Sequence, residues 1–257
     1  MLEISNYEVF GFEHAIRGMR NPMNSWDKSD SSWTHVESAH TGEEVRSQFI
    51  VGEADKDLMM RLARSGSDHA KFRRMIVVYL DILAPLYWWK EFDTYKVGTV
   101  ANSCSTMHKI HAKEFTLEDF SCEHLGYYDQ NLEIDGEVNP YFDMACETVE
   151  SSQKWPKDIL EDIVDSLNWN RGMFLQTKDK KYWWQLIQLL PSSYNQKRTV
   201  MLNYEILHNI YHARKNHKLD EWHVFCDWVE RLPHSDVITC EDPKEFTPTV
   251  ILKESDI

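Results

Sequence analysis

The segment Leu186–Trp222, LIQLLPSSYNQKRTVMLNYEILHNIYHARKNHKLDEW, is the part of the chain that decides the fold. It begins with a turn and then runs into a predicted long helix. Five of its residues recur at the spacing of one helical face: Asn203, Leu207, Ile210, Tyr211 and Arg214. This face is apolar in the middle, with an amide at one end and a guanidinium at the other. Buried polar groups need partners, so the helix either packs into a core that satisfies both ends or lines a ligand cleft.

The length and composition predict an ordinary globular protein. The chain has 257 residues, of which 42% are hydrophobic and 27% are charged. This is enough for a substantial core. We expect a single domain over residues 1–232 and an extended C-terminal tail over residues 233–257, which carries Pro243 and Pro248.

The charge and the cysteines restrict the partners and the compartment. The 28 basic and 42 acidic side chains give a net charge of −14, which argues against nucleic acid or an anionic membrane as a partner. The five cysteines form no C-x-x-C pair, as expected of a reduced chain inside the cell. No positively charged apolar leader opens the sequence, so we expect no secretory signal, and the longest apolar run, Met75–Trp89, is interrupted by Asp81 and too short to span a bilayer. The predicted location is cytoplasmic.

Periodicity and capping residues predict mostly helices. The predicted strands are Tyr7–Phe12 and Met75–Leu83, and the segment Asn21–Gly42 reads as a loop. The other predicted helices are Asp55–Ser65, Ala84–Tyr95, Glu114–Phe120 with Thr116 as a cap, Asn139–Ser152, Pro156–Leu175 and Leu219–Leu232. The few strands lie within the first 110 residues, and the fold class is α+β.

Specific residues of the opening segment carry a family resemblance. They are Leu190-Pro191, Tyr194, Asn203, Asn209, Arg214 and Leu219-Asp220-Glu221-Trp222. Together they resemble the C-terminal half of the flavin-dependent thymidylate synthases, the ThyX family. In that family a Leu-Pro turn leads into a helix of the form N-x-R-S-x-x-N-F-x-x-x-R. Glu205 stands where the family has the arginine of the N-x-R triplet.

The resemblance implies a fold and roles for this helix. The fold would be ThyX-like, a small antiparallel sheet packed with several long helices. Asn203 and Asn209 would contact the flavin. Arg214 would hold the uracil of deoxyuridylate and act as the catalytic residue, because a guanidinium stays charged and can form paired hydrogen bonds.

A second part of the resemblance lies within residues 67–108. Asp68–Phe72 is similar to the family element E-H-x-x-F, and residues 94–107 are similar to R-H-R-x-x-S-x-N-E-x-S-x-R with one inserted residue after Thr99. The resemblance implies cofactor binding by four residues, His69, Lys96, Thr99 and Asn102, and substrate binding by Ser105. Five positions depart from the family: Thr94, Tyr95, Ser103, Met107 and Ile187.

The implied reaction is the reductive methylation of deoxyuridylate, or a related pyrimidine nucleotide, at C5. Methylene-tetrahydrofolate would donate the carbon, NADPH the electrons, and FAD would carry the hydride. The resemblance also implies a homo-oligomer, a tetramer in the family. Because arginines that would neutralise phosphates are missing, a non-catalytic nucleotide-binding protein on the same fold is the alternative. A third alternative is a structural or interaction protein. It is favoured by four tryptophans that are candidates for the surface, Trp26, Trp33, Trp88 and Trp89.

Other chemistries have weaker support in the sequence. Two sets of residues have spacings that can ligate zinc: His108 and His111 with Cys122 and His124, and His208 with His212. Neither set completes a C-x-x-C or H-E-x-x-H pattern, so we expect no metal site. Cys104 lies near the second motif, but free cysteines are mostly small buried hydrophobic residues. The chain has no P-loop, G-x-G-x-x-G or G-x-S-x-G motif.

Overall fold

The computed structural model describes residues 2–37, 44–126, 133–134, 137–138 and 155–241. Its strands are β1 Glu3–Phe10, β2 Ser32–Glu37, β3 Glu44–Ile50, β4 Val77–Pro85, β5 Val100–Ser103, β6 Glu133–Ile134, β7 Glu137–Val138 and β8 Asn195–Asn203. Its α-helices are α1 Phe12–Arg20, α2 Glu53–Ala63, α3 Leu86–Phe92, α4 Pro156–Thr177, α5 Lys180–Leu189, α6 Tyr204–Arg214, α7 Asp220–Glu230 and α8 Asp236–Thr239. The predicted helix Asn139–Ser152 lies outside the described residues.

A small antiparallel sheet with the strand order β1-β4-β8-β5 accompanies these helices. Alternate residues of β4 are fully buried, namely Val78, Leu80, Ile82 and Ala84. This alternation is typical of a strand with one face in a core. The predicted α+β class with a small antiparallel sheet and helices is confirmed.

The chain divides into two compact units. The first comprises residues 1–5, 80–96 and 101–200, and the second comprises residues 6–79, 97–100 and 201–257. In the first unit, α4 and α5 pack with the segment 110–120 around buried apolar side chains such as Phe115, Leu167 and Leu186. In the second unit, α6 and α7 bury large side chains such as Tyr204, Trp222 and Phe225.

Three predicted elements differ in the structure. The segment Asn195–Asn203 is a strand, so strands are not confined to the first 110 residues. The predicted loop Asn21–Gly42 contains β2, which pairs with β3. The predicted helix Glu114–Phe120 shrinks to a 3₁₀ turn, Leu117–Asp119. In the first two cases pairing with a partner strand decides the structure, and single-segment periodicity does not report pairing.

The start of the predicted tail is also not extended. Residues 236–239 form α8, in which Val237 and Ile238 are fully buried. The Arg73 guanidinium donates from Nε to the Val237 carbonyl at 2.7 Å, and His208 Nδ1 lies 2.6 Å from the Ile238 carbonyl. Residues 242–257 lie outside the described residues, and the single domain over residues 1–232 stays a prediction.

Two half-buried histidines of the second unit predict a loss of stability in acid. Burial, followed by the neighbouring His208, lowers the pKa of His212, and burial lowers the pKa of His234. Both therefore stay neutral in the folded chain at a pH where the unfolded chain already binds protons. The contribution of the two histidines to the free energy of unfolding is fully present above their unfolded pKa of about 6.5. It is lost as the pH falls towards their lower pKa values in the folded chain.

We expect Tm to fall when the pH is lowered from about 7.5 to about 5.5, through this histidine linkage. The double variant His212→Gln/His234→Gln should show a shallower fall than the wild type. Thermal denaturation across that range measures both slopes. Equal slopes in the two proteins would contradict the assignment to these histidines.

No helix of the described residues is long and apolar enough to cross a membrane.

Candidate functional site

The start of α6 is built around Asn203. Asn203 is the N-cap of the helix, and its side-chain Oδ1 accepts a hydrogen bond from the Ile206 N–H at 3.1 Å. This bond satisfies one of the free N–H groups of the first turn. The amide nitrogen Nδ2 is left without a hydrogen bond to any described residue. Asn203 is half-buried, so it can offer this donor to a ligand.

The Gly98–Thr99 turn packs against the same helix start. Gly98 has a φ of +79°, and a Cβ there would lie 2.9 Å from Ile206 Cδ1 and 3.4 Å from Asn203 Nδ2. A side chain at position 98 would therefore be strained by the backbone conformation, and its Cβ would require the Ile206 side chain to shift. The next residue, Thr99, has a buried hydroxyl with no hydrogen-bond partner in the described part of the chain. The second unit thus brings the turn that carries Thr99 against Asn203, and both were predicted cofactor residues.

The middle of the predicted helix face lies in the core, where Leu207 and Ile210 are fully buried. At its start, Asn203 makes its capping bond through Oδ1 only. At the other end, the Arg214 guanidinium carbon lies 4.9 Å from the ring centroid of the buried Trp222. Asn209 lies off this face and is exposed.

Glu205 is held by two arginines. Its Oε2 lies 3.6 Å from Nη1 of Arg73, whose side chain is fully buried, and its Oε1 lies 3.9 Å from Nη2 of Arg74, whose side chain is 55% exposed. The acidic residue that replaces the family arginine is therefore an ion-pair partner for the 3₁₀ segment Ala70–Met75. Arg73 and Arg74 directly follow the D-H-A-K-F element, and these two adjacent arginines are the only sign in that motif that it could pair with a carboxylate. The family resemblance did not predict the contact with Glu205.

The other predicted site residues are exposed. His69 belongs to the second unit and precedes the Ala70–Met75 segment. Lys96, Asn102 and Ser105 belong to the first unit. The Ser105 hydroxyl accepts the N–H groups of the residues two and three positions later, at 3.1 and 2.9 Å, so it closes a local turn.

One departure from the family motif has a local structural role. The Thr94 hydroxyl donates to the Glu91 carbonyl at 2.7 Å, just after the end of α3. Thr94 stands where the resemblance places an arginine. The position is therefore used here to finish a helix.

The histidine pairs do not form a metal centre. The rings of His208 and His212 lie 4.4 Å apart. The ring of His111 packs edge-on against Phe174 at 4.9 Å. Among the described residues, no three His, Cys, Asp or Glu side chains are grouped to hold a metal ion. The expected absence of a metal stays a prediction.

A cavity of about 650 Å³ is lined by residues of α6, α7 and the loop that joins them. Its walls include Tyr211, Lys215, His217, His223 and Glu230, and none of the predicted site residues lines it. The Tyr211 hydroxyl donates to Glu230 at 2.7 Å, and this bond raises the pKa of Tyr211 to about 12. Tyr211 is therefore a neutral hydrogen-bond donor at physiological pH.

Comparison with known proteins shows what this fold is. No protein-family model and no curated protein matches the sequence. Two solved structures of the flavin-dependent thymidylate synthase ThyX from Helicobacter pylori, complexed with FAD and dUMP, match 93% of this chain. In the first structure the match includes 97% of the ThyX chain, at 16% identity and a TM-score of 0.56. In the second it includes 100% of the ThyX chain, at 15% identity and a TM-score of 0.57.

A third solved structure is similar as well. The UMP/dUMP methylase PolB from Streptomyces cacaoi, bound with 5-Br dUMP, matches 93% of both chains at 11% identity and a TM-score of 0.54. The chain therefore has the ThyX fold, and the resemblance seen in the motifs is confirmed at the level of the fold.

Proposed function

We propose that the protein is a divergent flavin-dependent nucleotide methylase of the ThyX type. It would methylate dUMP, or a related pyrimidine nucleotide, at C5, with methylene-tetrahydrofolate as the carbon donor, NADPH as the reductant and FAD as the cofactor. A homo-oligomeric assembly and a cytoplasmic location remain predictions.

One observation carries the proposal. On a fold shared with proteins that are complexed with FAD and dUMP, Asn203 keeps the family position and offers an unpaired amide donor next to the Gly98–Thr99 turn, in which the Thr99 hydroxyl is buried and unpaired. An unpaired buried hydroxyl costs free energy unless a ligand or water satisfies it. The two groups together support a ligand at the start of α6.

These residues fit a flavin. The edge of the isoalloxazine ring presents carbonyl oxygens and nitrogens, which accept and donate hydrogen bonds, and an amide together with a hydroxyl matches that pattern. Asn203 and Thr99 would hold the ring, with support from His69 and Asn209 of the same unit. Flavin contacts by Lys96 and Asn102 stay predictions. The flavin would supply the hydride transfer that no protein side chain can perform.

The protein's own contribution would be binding and charge stabilisation. Arg214 ends α6 with its guanidinium against the Trp222 ring, which fixes the position of the side chain. From there it would donate to the uracil of the nucleotide and stabilise negative charge that develops on the ring during methylation. Ser105 would contribute to substrate binding.

A specific observation favours the alternative, a nucleotide-binding protein without catalysis. Thr94 finishes α3, and Glu205 is tied to Arg73 and Arg74, so two positions at which the family has arginine serve the structure here. A chain that lost cofactor contacts would retain the fold and the nucleotide site. Turnover decides between the two candidates.

The variant Asn203→Asp separates cofactor binding from folding. Aspartate is as good an N-cap as asparagine, so the helix start should be kept, but the Nδ2 donor is lost. We expect Tm to stay close to that of the wild type and FAD affinity to fall by about tenfold or more, as a lost hydrogen bond and an added negative charge require. Retained visible flavin absorbance after removal of excess FAD measures the affinity.

The matched control is Asn24→Asp, at an exposed asparagine of the same unit, which should leave FAD binding unchanged. Equal FAD retention by Asn203→Asp and the wild type would remove Asn203 from the cofactor site. If the wild type retains no flavin and transfers no one-carbon unit to any pyrimidine nucleotide, the methylase proposal fails and the binding protein remains.

A further inference from the structure

The groove between α6 and α7 is a cavity that the proposed function does not use. Its volume is about 650 Å³, which falls in the range typical of small-molecule sites. Two hydrogen bonds tie its walls together. The Tyr211 hydroxyl of α6 donates to Glu230 of α7 at 2.7 Å, and Nε2 of His223 lies 2.7 Å from the carbonyl oxygen of His217. The two helices and the loop that joins them are therefore held together around the cavity.

The cavity carries two carboxylates that no cation balances. They belong to Asp227 and Glu230, and both residues are exposed. In the described part of the chain neither carboxylate forms an ion pair, and the adjacent Arg231 donates from Nε to the backbone carbonyl of Asp227 instead. Lys215 also lines the cavity, but its ammonium group is paired with Glu241 at 2.9 Å. The lining therefore has a surplus of negative charge.

The place of these carboxylates at the end of a helix is unfavourable without a cation. Asp227 and Glu230 lie in the last turn of α7, and this fully described turn contains no basic residue. The C-terminal end of a helix carries a partial negative charge, so it favours cations and opposes carboxylates. Two carboxylates three positions apart on one helix are also neighbours that repel each other. A bound cation would relieve both of these unfavourable interactions.

A buried thiol responds to the same negative charge. Cys226 lines the cavity, is 5% exposed, and makes no hydrogen bond to any described residue. Burial, and then the charges of Asp227 and Glu230, raise the pKa of this thiol to about 12, against an opposing effect of Lys215. The two carboxylates thus outweigh the lysine inside the cavity. Because the thiol stays neutral, it offers a weakly polar surface to the apolar part of a ligand.

We propose that the groove between α6 and α7 binds a small organic cation, an aliphatic diamine or polyamine, through the carboxylates of Asp227 and Glu230. Two carboxylates match two ammonium groups, and charge-assisted hydrogen bonds of this kind are strong. The Tyr211 hydroxyl holds Glu230 through Oε1, and the second oxygen has no partner among the described residues. The methylene chain of the ligand would pack against the Tyr211 ring and the Cys226 thiol. The inference is independent of the proposed function, because the two use different residues.

The test is titration calorimetry of the full-length protein, without flavin or nucleotide, with the diamine putrescine as the probe. Two compounds of the same chain length are matched controls: butylamine, which has one cation, and butanediol, which has none. The double variant Asp227→Asn/Glu230→Gln removes both charges with little change of shape, and glutamine still accepts the Tyr211 hydrogen bond. Asp57→Asn is the control variant, since it changes an exposed carboxylate of the same unit outside the cavity.

We expect the wild type to bind putrescine, to bind butylamine more weakly, and not to bind butanediol. The double variant should bind putrescine about tenfold more weakly or worse, as the loss of charge-assisted hydrogen bonds predicts. Asp57→Asn should bind putrescine as the wild type does. The Tm of the double variant should be no lower than that of the wild type, because the change removes two charges that oppose the helix dipole. The loss of binding is then not a loss of folding.

Three results would overturn the inference. They are no binding of putrescine by the wild type, equal binding by the wild type and the double variant, and equal binding of putrescine and butanediol. The last result would mean that the cavity selects its ligand by shape and not by charge. None of these results bears on the methylase proposal, because the titration contains neither dUMP nor FAD.

Discussion

Replacing Arg214 by alanine is expected to lower kcat/KM for dUMP by about a hundredfold or more. Removing one donor that stabilises developing charge in an active site typically costs this much. Arg214 is the last residue of α6, and its guanidinium packs against the ring of the buried Trp222, so the Tm of the variant is measured together with its rate. Release of tritium from C5-labelled dUMP measures the rate.

Two further variants make the Arg214 experiment specific. Arg214→Lys keeps the charge but not the paired donors, and we expect it to recover only part of the rate. Arg198→Ala is the matched control, because the Arg198 guanidinium packs over the Trp89 ring at 4.1 Å and has no proposed role in the site. If both alanine variants lose activity and stability to the same extent, Arg214 is a structural residue.

Replacing Glu205 by glutamine is expected to have the largest effect on stability. The change leaves the fully buried Arg73 without its carboxylate, and breaking a buried ion pair from one side typically costs about 3–5 kcal/mol. For a chain of this length, that cost corresponds to a fall in Tm of about 10 °C. Glu205→Arg, which restores the family residue, should be worse still, because three guanidinium groups would then meet at the start of α6.

Asp57→Asn is the control for the Glu205 variant. It breaks an ion pair between Arg61 and Asp57 in which both side chains are about two-thirds exposed, and such pairs contribute about 0.5 kcal/mol. Thermal and urea denaturation of the two variants measure the difference. If Glu205→Gln is as stable as Asp57→Asn, the contact between Glu205 and Arg73 does not stabilise the fold.

Arg214, which is expected to affect activity, and Glu205, which is expected to affect stability, both belong to α6. The start of α6 combines the Asn203 cap with the Glu205 ion pair, and its end carries Arg214. The same helix also holds the C-terminal segment, through the contact of His208 with the Ile238 carbonyl. Residues 233–241 are therefore part of the support of the proposed site, although the sequence predicted that they begin an extended tail.

The amino-acid sequence by itself determined the features that depend on short-range interactions. The periodicity of α6, the Pro156 start of α4 and the capping residue Thr116 are local, because helices form from contacts between residues three and four positions apart. The spacing of Asn203, Asn209 and Arg214, together with Leu190-Pro191 before them and Leu219–Trp222 after them, carried the resemblance to the ThyX family.

Only the tertiary structure decided the features that need a partner distant in the chain. β8 is a strand because it has partner strands in the sheet, and the apolar positions of one segment do not reveal them. Glu205 faces Arg73 and Arg74, and Arg214 packs on Trp222, because folding brings these groups together. Charge compensation and ring contacts act through space, so the sequence alone does not show which of these groups are paired.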